Sequence, residues 1–365
     1  MKIDYANLNL QYQYYKKNID DAIFKVVKKS KFIMGEEVSK LEKNLEKFTG
    51  ASHAITCSSG TDALLLAMMA INIQPGDEII TTPFTWVSTA ETIALLKAIP
   101  VFVDIEPDTY NINANLIEAA ITKNTKAIMP VSLFGQPADI DHIQNIAKKH
   151  DLKVIIDGAQ SFGSTYKNKT DSNLGDISIT SFFPSKPLGC YGDGGAVFTN
   201  NDKYAEKIKM LRVHGQNKRN HHKYIGMGGR MDTIQAAILL AKLKYFKQEL
   251  KDRKIVADRY TNGLTNIVQT PIIKQNISSA WAQYTIRVNN RDDIQNELKK
   301  KDIPTSVFYP VSLHLQECFK YLNYKRGDFS ISEKSSNEVI SLPMNPFLTH
   351  DQIDYIILKI KEHIS

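Results

Sequence analysis

The sequence predicts an α/β protein: a large domain on a mostly parallel seven-stranded sheet, followed by a small C-terminal α+β domain. Two observations predict it. From His53 to Asn200, seven short apolar runs come with amphipathic stretches between the first five, as crossover connections between parallel strands require. Beyond about residue 250 that alternation stops and isolated strand-like and helix-like segments follow. The 365 residues suffice for one large and one small domain, and 42% hydrophobic with 23% charged residues is ordinary globular composition.

Residues 16–27 and 38–48 read as two helices joined by Met34-Gly35-Glu36. The seven runs are 53–58, 78–83, 101–105, 127–131, 154–157, 177–182 and 196–199. Most are short and β-branched, as strands buried on both faces are. Residues 62–73, 89–98, 116–121 and 140–150 supply the intervening helices. The last runs lack long helices between them, so an antiparallel member is expected there. Residues 204–211 and 233–250 read as further helices. A boundary near 250 divides the chain into 1–250, with the N-terminal helices, and 251–365. The second part carries a helix at 251–264, a strand at 283–288 and helices at 292–300 and 352–364.

The net charge of +7 allows nucleic acid, anionic lipid or a phosphorylated small molecule as partner. The densest basic stretch, Lys218-Arg219-Asn220-His221-His222-Lys223, has no interleaved aromatic platform and no nucleic-acid motif around it. It reads as a solvated loop or as part of an anionic-substrate site, and no nucleic-acid partner is expected. Cys57, Cys190 and Cys318 are odd in number and form no CxxC pair, which argues for reduced thiols and against a zinc site. His214, His221 and His222 match no zinc spacing and read as loop histidines near the substrate; no metal is expected. Met1-Lys2-Ile3-Asp4 opens no signal peptide, and no apolar run approaches a membrane span. A cytoplasmic protein with no membrane association is expected.

Lys186 closes the strand-like run 176–183 and precedes the glycine-rich Gly189-Cys190-Tyr191-Gly192-Asp193-Gly194-Gly195. A lysine at such a strand end can lose its proton and attack an aldehyde. Asp157 ends the run Val154-Ile155-Ile156-Asp157, where ligands of parallel α/β sheets bind. A lysine for a covalent link and a carboxylate for a pyridinium nitrogen are what pyridoxal phosphate requires. Asp157 alone reads equally well as a helix N-cap. Gln160, in Asp157-Gly158-Ala159-Gln160-Ser161, can donate to the ring's phenolic oxygen. Ser58-Ser59-Gly60-Thr61-Asp62 opens a helix after the first strand; it is either a simple cap or a phosphate site at the helix N-terminus. Trp86 is either a stacking ring for a cofactor or a core aromatic.

Taken together, these segments resemble the DegT/DnrJ/EryC1/StrS sugar aminotransferases. The likeness runs from Ile33-Met34-Gly35-Glu36-Glu37-Val38 to Ser341-Leu342-Pro343-Met344-Asn345-Pro346. It is strongest at Ser59-Gly60-Thr61-Asp62, Asp157-Gly158-Ala159-Gln160-Ser161-Phe162-Gly163, the Lys186 segment, and Arg230-Met231-Asp232 leading to Gln235-Ala236-Ala237. The resemblance implies the type I aminotransferase fold and a homodimer with shared active sites. It implies that Lys186 carries pyridoxal 5'-phosphate covalently, with Asp157 at the ring nitrogen, Gln160 at the ring oxygen and Trp86 on the ring face. Gly60, Thr61 and Ser181 would hold the phosphate. Arg230 would reach the neighbouring chain's site, and His214, Phe308 and Tyr309 would lie on the substrate side.

The Ser181-Phe182-Phe183-Pro184-Ser185-Lys186-Pro187-Leu188-Gly189 stretch is most similar to enzymes that aminate UDP-2-acetamido-2-deoxy-3-oxo-glucuronic acid from L-glutamate for bacterial surface polysaccharide, such as lipopolysaccharide O-antigen. Amination of dTDP-3-oxo-6-deoxyhexoses ranks next, then 4-oxo sugars, then a non-enzymatic regulator. Two positions depart from the resemblance. Gly228 stands where the family commonly has an asparagine that contacts the partner's cofactor phosphate, and Phe308 where the subgroup usually has a histidine near the sugar.

Overall fold

The computed structural model describes residues 2–364. Two helices, α1 (Leu8–Lys29) and α2 (Glu36–Thr49), lead into the large sheet. Its elements in chain order are β1 (His53–Cys57), α3 (Gly60–Ala70), β2 (Glu78–Thr81), α4 (Ser88–Leu95), β3 (Ile99–Phe102), α5 (Ala114–Ile117), β4 (Thr125–Ile128), α6 (Ile140–Lys149) and β5 (Lys153–Asp157). Two-residue strands β6 (Thr165–Tyr166) and β7 (Lys169–Thr170) intervene before β8 (Ile177–Ser181), β9 (Gly195–Thr199) and α7 (Asp202–Leu211). The sheet has seven strands in the order β1-β9-β8-β5-β4-β2-β3. The expected antiparallel member is β9, which runs against both β1 and β8; the remaining pairs are parallel.

Alternation along β5 shows why both sheet faces are apolar. Ile155 points into a core with Leu66 and Met68 of α3 and Ile208 of α7, whereas Val154 and Ile156 point into a core with Ile143 and Ile146 of α6. Covered on both sides, the sheet leaves its ligand chemistry to the carboxyl ends of the parallel strands.

After a small hairpin of β10 (Gln216–Lys218) and β11 (His221–His222), one helix, α8 (Thr233–Leu264), runs for 32 residues. The two helices expected at 233–250 and 251–264 are therefore continuous, and the helix passes straight through position 250. Its first half packs Ala236, Leu239 and Phe246 with Leu41 and Leu45 of α2. Its second half packs Val256, Ala257, Tyr260 and Leu264 into a separate core. That core also holds β13 (Tyr284–Arg287), α9 (Arg291–Lys300), β14 (Val339–Leu342) and α11 (His350–Ile364), with β13 and β14 antiparallel. The strand β12 (Ile277–Ser278) pairs instead with β6.

The helix α10 (Ser330–Glu338) lies outside the sequence reading. Its N-terminus is capped from a distance: the carboxylate of Asp104 accepts from the backbone N–H of Ile331 and of Ser332, both at 2.9 Å. Among the described residues no helix is long and apolar enough to cross a membrane.

Candidate active site

A cleft of about 410 Å³ opens at the carboxyl ends of β1, β2, β4, β5 and β8. Lys186, Asp157, Gln160, Trp86, Ser181 and the Gly60-Thr61 pair all line it, as do Phe308 and Tyr309 from the second half of the chain.

At one end lies the N-terminus of α3. Ser59 caps it, its hydroxyl accepting from the N–H of Asp62 at 3.0 Å, and the Thr61 hydroxyl lies 2.9 Å from that of Ser88. The helix end is tucked against β8 so closely that a Cβ on Gly60 would stand 2.8 Å from the Cβ of Ser181. This close approach requires glycine, and it sets the start of α3 on the wall of the cleft. Cap and anion cradle are compatible uses of the same helix end.

Asp157, buried at the end of β5, is held on all sides. Its Oδ2 accepts from the Thr89 hydroxyl at 2.8 Å and its Oδ1 from the Ala159 N–H at 3.2 Å. Its own N–H donates to the Pro130 carbonyl, and its carbonyl accepts from the Ser132 N–H. No helix follows it, so the N-cap alternative does not apply. Burial pushes its carboxyl up, while the Thr89 hydroxyl, the Ala159 N–H and the charge of Lys186 pull it back. Gln160 fixes its amide in one sense: Oε1 accepts from the Phe134 N–H and Nε2 donates to the Tyr309 hydroxyl, both at 2.8 Å. Trp86 is 60% exposed, which excludes the core-aromatic alternative; it stands 6.3 Å from the Tyr309 ring.

Lys186 projects from the turn after β8, its N–H closing back on the Phe183 carbonyl at 2.9 Å. Among the described residues its amino group has no hydrogen-bond or ion-pair partner. Burial lowers it to about 8, with the charge of Asp157 acting the other way. An unpartnered amine of lowered basicity, a fixed carboxylate, and a helix N-terminus beside two hydroxyls form a donor set that fits an aldehyde, a pyridine nitrogen and a phosphate respectively. The residues present thus fit pyridoxal phosphate.

One expected residue lies elsewhere, and a second was expected in the neighbouring chain's site. His214 is exposed and does not line the cleft. A Cβ on Gly228 would come within 3.1 Å of its Cε1, and its carbonyl oxygen lies 2.8 Å from His222 Nδ1. Arg230 does not line the cleft of its own chain. Conversely, Thr89 and Ser88, which hold Asp157 and Thr61, were not singled out by the sequence. The hydroxyl-rich run Thr81-Thr82-Pro83-Phe84-Thr85-Trp86-Val87-Ser88-Thr89 was the available signal. Gln283 was also missed; it lines the cleft with an Oε1 that is buried and unpartnered.

Fold and site define a type I pyridoxal-phosphate aminotransferase. More closely, the chain belongs to the DegT/DnrJ/EryC1/StrS aminotransferase family, whose profile matches residues 13–361. It is 48% identical over 355 residues to UDP-2-acetamido-2-deoxy-3-oxo-D-glucuronate aminotransferase of Pseudomonas aeruginosa, covering 97% of this chain and 98% of that one. It is 43% identical to a pleiotropic regulatory protein of Geobacillus stearothermophilus, covering 99% and 98%. Among solved structures, NtdA of Bacillus subtilis with bound cofactor PMP superposes with a TM-score of 0.93 at 30% identity, covering 100% of this chain and 85% of that one.

Proposed function

We propose that the protein moves the amino group of L-glutamate to the 3-oxo group of a nucleotide-linked sugar of the UDP-2-acetamido-2-deoxy-3-oxo-glucuronate type, for bacterial surface polysaccharide. It acts as a homodimer whose sites are shared, with Arg230 serving the neighbouring chain. The observation that carries the chemistry is the unpartnered Lys186 amine on the same cleft as Asp157. The Pseudomonas relative, through its name, supports the substrate.

Pyridoxal phosphate, when bound, supplies a carbonyl that takes the amine and a ring that accepts the electrons freed at the reacting carbon. The protein's residues do the rest. The N-terminus of α3, with Thr61 and Ser181, holds the phosphate. Asp157, whose charged form the Thr89 hydroxyl favours against burial, would hold a positive charge at the ring nitrogen. Trp86 would cover one face of the ring, and Gln160 and Tyr309 would hold its oxygen side. Lys186, whose amine burial lowers to about 8, would carry a proton from the donor's α-carbon to the cofactor carbon that receives the amine, and in the second half-reaction from that carbon to the sugar carbon that gains nitrogen.

A second reading is a neutral acceptor such as a dTDP-3-oxo-6-deoxyhexose. It is favoured by Phe308, whose ring lines the cleft and offers no donor to a carboxylate.

The experiment is an absorbance scan of the holoenzyme with and without L-glutamate, followed by a panel of UDP- and dTDP-oxo-sugars read by mass spectrometry and NMR. Glutamate is expected to replace the visible band of the lysine-bound cofactor with that of its amine form, releasing 2-oxoglutarate. A spectrum indifferent to glutamate overturns the aminotransferase reading and favours a regulator; product aminated at C-4 overturns the position alone.

A further inference from the structure

We propose that Asp171 is a positioning residue for Asp157: from behind the strand ends it ties together the two turns between which Asp157 is suspended. The inference rests on the reading above that Asp157 faces the cofactor's ring nitrogen.

Asp171 opens the short turn Asp171–Asn173 before β8 and is 1% exposed. Its two oxygens accept from serines on different segments, Oδ1 from the Ser132 hydroxyl at 3.0 Å and Oδ2 from the Ser161 hydroxyl. Ser132 follows β4, and its N–H donates to the Asp157 carbonyl at 3.0 Å, so one serine joins the two aspartates. Ser161 ends the turn that begins at Asp157. Its N–H donates to the Gly158 carbonyl at 3.1 Å, and its chain neighbour is Gln160. Directly above the carboxylate lies Gly158: a Cβ there would stand 3.1 Å from Asp171 Oδ2. The clamp is itself anchored, since the Asp171 N–H donates to the Ser164 carbonyl at 3.1 Å and the Ser178 hydroxyl to the Asp171 carbonyl at 3.3 Å.

The charge on this clamp matters as well as its shape. An amide could hold two hydroxyls equally well, because a hydroxyl both donates and accepts. A carboxylate buried without a cation is costly. Among the described residues Asp171 has no ion-pair partner: Ser132, Ser161, Ser164 and Ser178 face it from the surrounding segments. The titratable group whose charge acts on it is Asp157, which is acted on in turn by Lys186. Burial raises Asp171 to about 6, with the Ser161 and Ser132 hydroxyls pulling it back and the Asp157 charge pushing it up, so above that pH it stands as an anion behind Asp157. Their repulsion is mutual. The Asp171 anion makes a positive ring nitrogen harder to neutralise.

Holoenzyme loaded with pyridoxal phosphate labelled with ¹⁵N in the ring tests this, with the ring-nitrogen shift followed against pH and cofactor affinity measured by dialysis. In Asp171→Asn the pH range over which the protonated ring persists is expected to move toward acid at its alkaline limit, by about half to one unit. Affinity is expected to stay within about twofold of wild type, since the amide keeps both hydroxyl contacts. Ser132→Ala, which cuts one strut and leaves Asp171 an anion at alkaline pH, is expected to lower affinity about threefold without moving that limit. An unchanged titration in Asp171→Asn, with Asp157→Asn displacing it, overturns the proposal alone. An unchanged titration in both overturns the site reading beneath it as well. Should the amide variant fail to accumulate, wild-type affinity in Ser132→Ala overturns the clamp.

Discussion

The two strand ends that carry the chemistry are built in opposite ways. At the end of β5 every polar atom of Asp157 is engaged: both carboxylate oxygens, the N–H and the carbonyl all have protein partners. At the end of β8 the turn around Lys186 is closed by its backbone, but the amine at its tip has no partner among the described residues. A group that works by holding a charge in one place gains from being fixed; a group that must bond, release and carry a proton is better left without competing hydrogen bonds. Burial acts on both ends, yet it pushes the carboxyl up and the ammonium down. Each is therefore brought nearer to the pH at which the other titrates.

The most severe way to break this contrast is Lys186→Arg, which keeps a cation and removes the nucleophile. The variant is expected to lose the visible band of lysine-bound cofactor and about a thousandfold or more in turnover, measured by 2-oxoglutarate release. A smaller but still large effect belongs to Asp157→Asn, expected to cost about a hundredfold in turnover. Because the charge of Asp157 raises the Lys186 ammonium, its removal is expected to bring that group below about 8. The pH dependence of Lys186 carbamylation in the apoprotein, read by mass spectrometry, checks the direction; a shift upward would sink the electrostatic account. Thr89→Val sharpens the contrast most gently. It removes a hydrogen bond that lowers the Asp157 carboxyl, so that carboxyl rises and its charge is lost at higher pH as the medium is acidified. The acid limb of kcat/KM is expected to move up by about half a unit to one unit, with Thr89→Ser close to wild type.

Much of this was legible in the sequence, for local reasons. Runs such as Val154-Ile155-Ile156 carry their strand character in their branching, and Ser59-Gly60-Thr61 marks a helix start by its own side chains. What was not legible depended on partners far along the chain. The charged stretch around Lys251-Asp252-Arg253 looks like a break between helices. Arg253 is nevertheless buried, donating to the carbonyls of Trp281 and Met344, and Glu249 accepts from Gln11. The serine-rich segment 330–338 has weak helix propensity, and the cap that makes it a helix comes from Asp104. Thr89 is one threonine among many until β2 and β5 bring it to Asp157. The roles of His214 and Arg230 came from resemblance, and both side chains lie outside the cleft of their own chain.

The long helix α8 has a consequence for how the chain can come apart. At about 1.5 Å per residue it is a rod of roughly 48 Å, and opposite ends of it fill different hydrophobic interiors. Severing the backbone at position 250 would cut this helix and leave each interior with only its own half of the rod. Melting of either interior is thereby coupled to the other through one continuous ladder of backbone hydrogen bonds, and cooperativity is written into the middle of the chain.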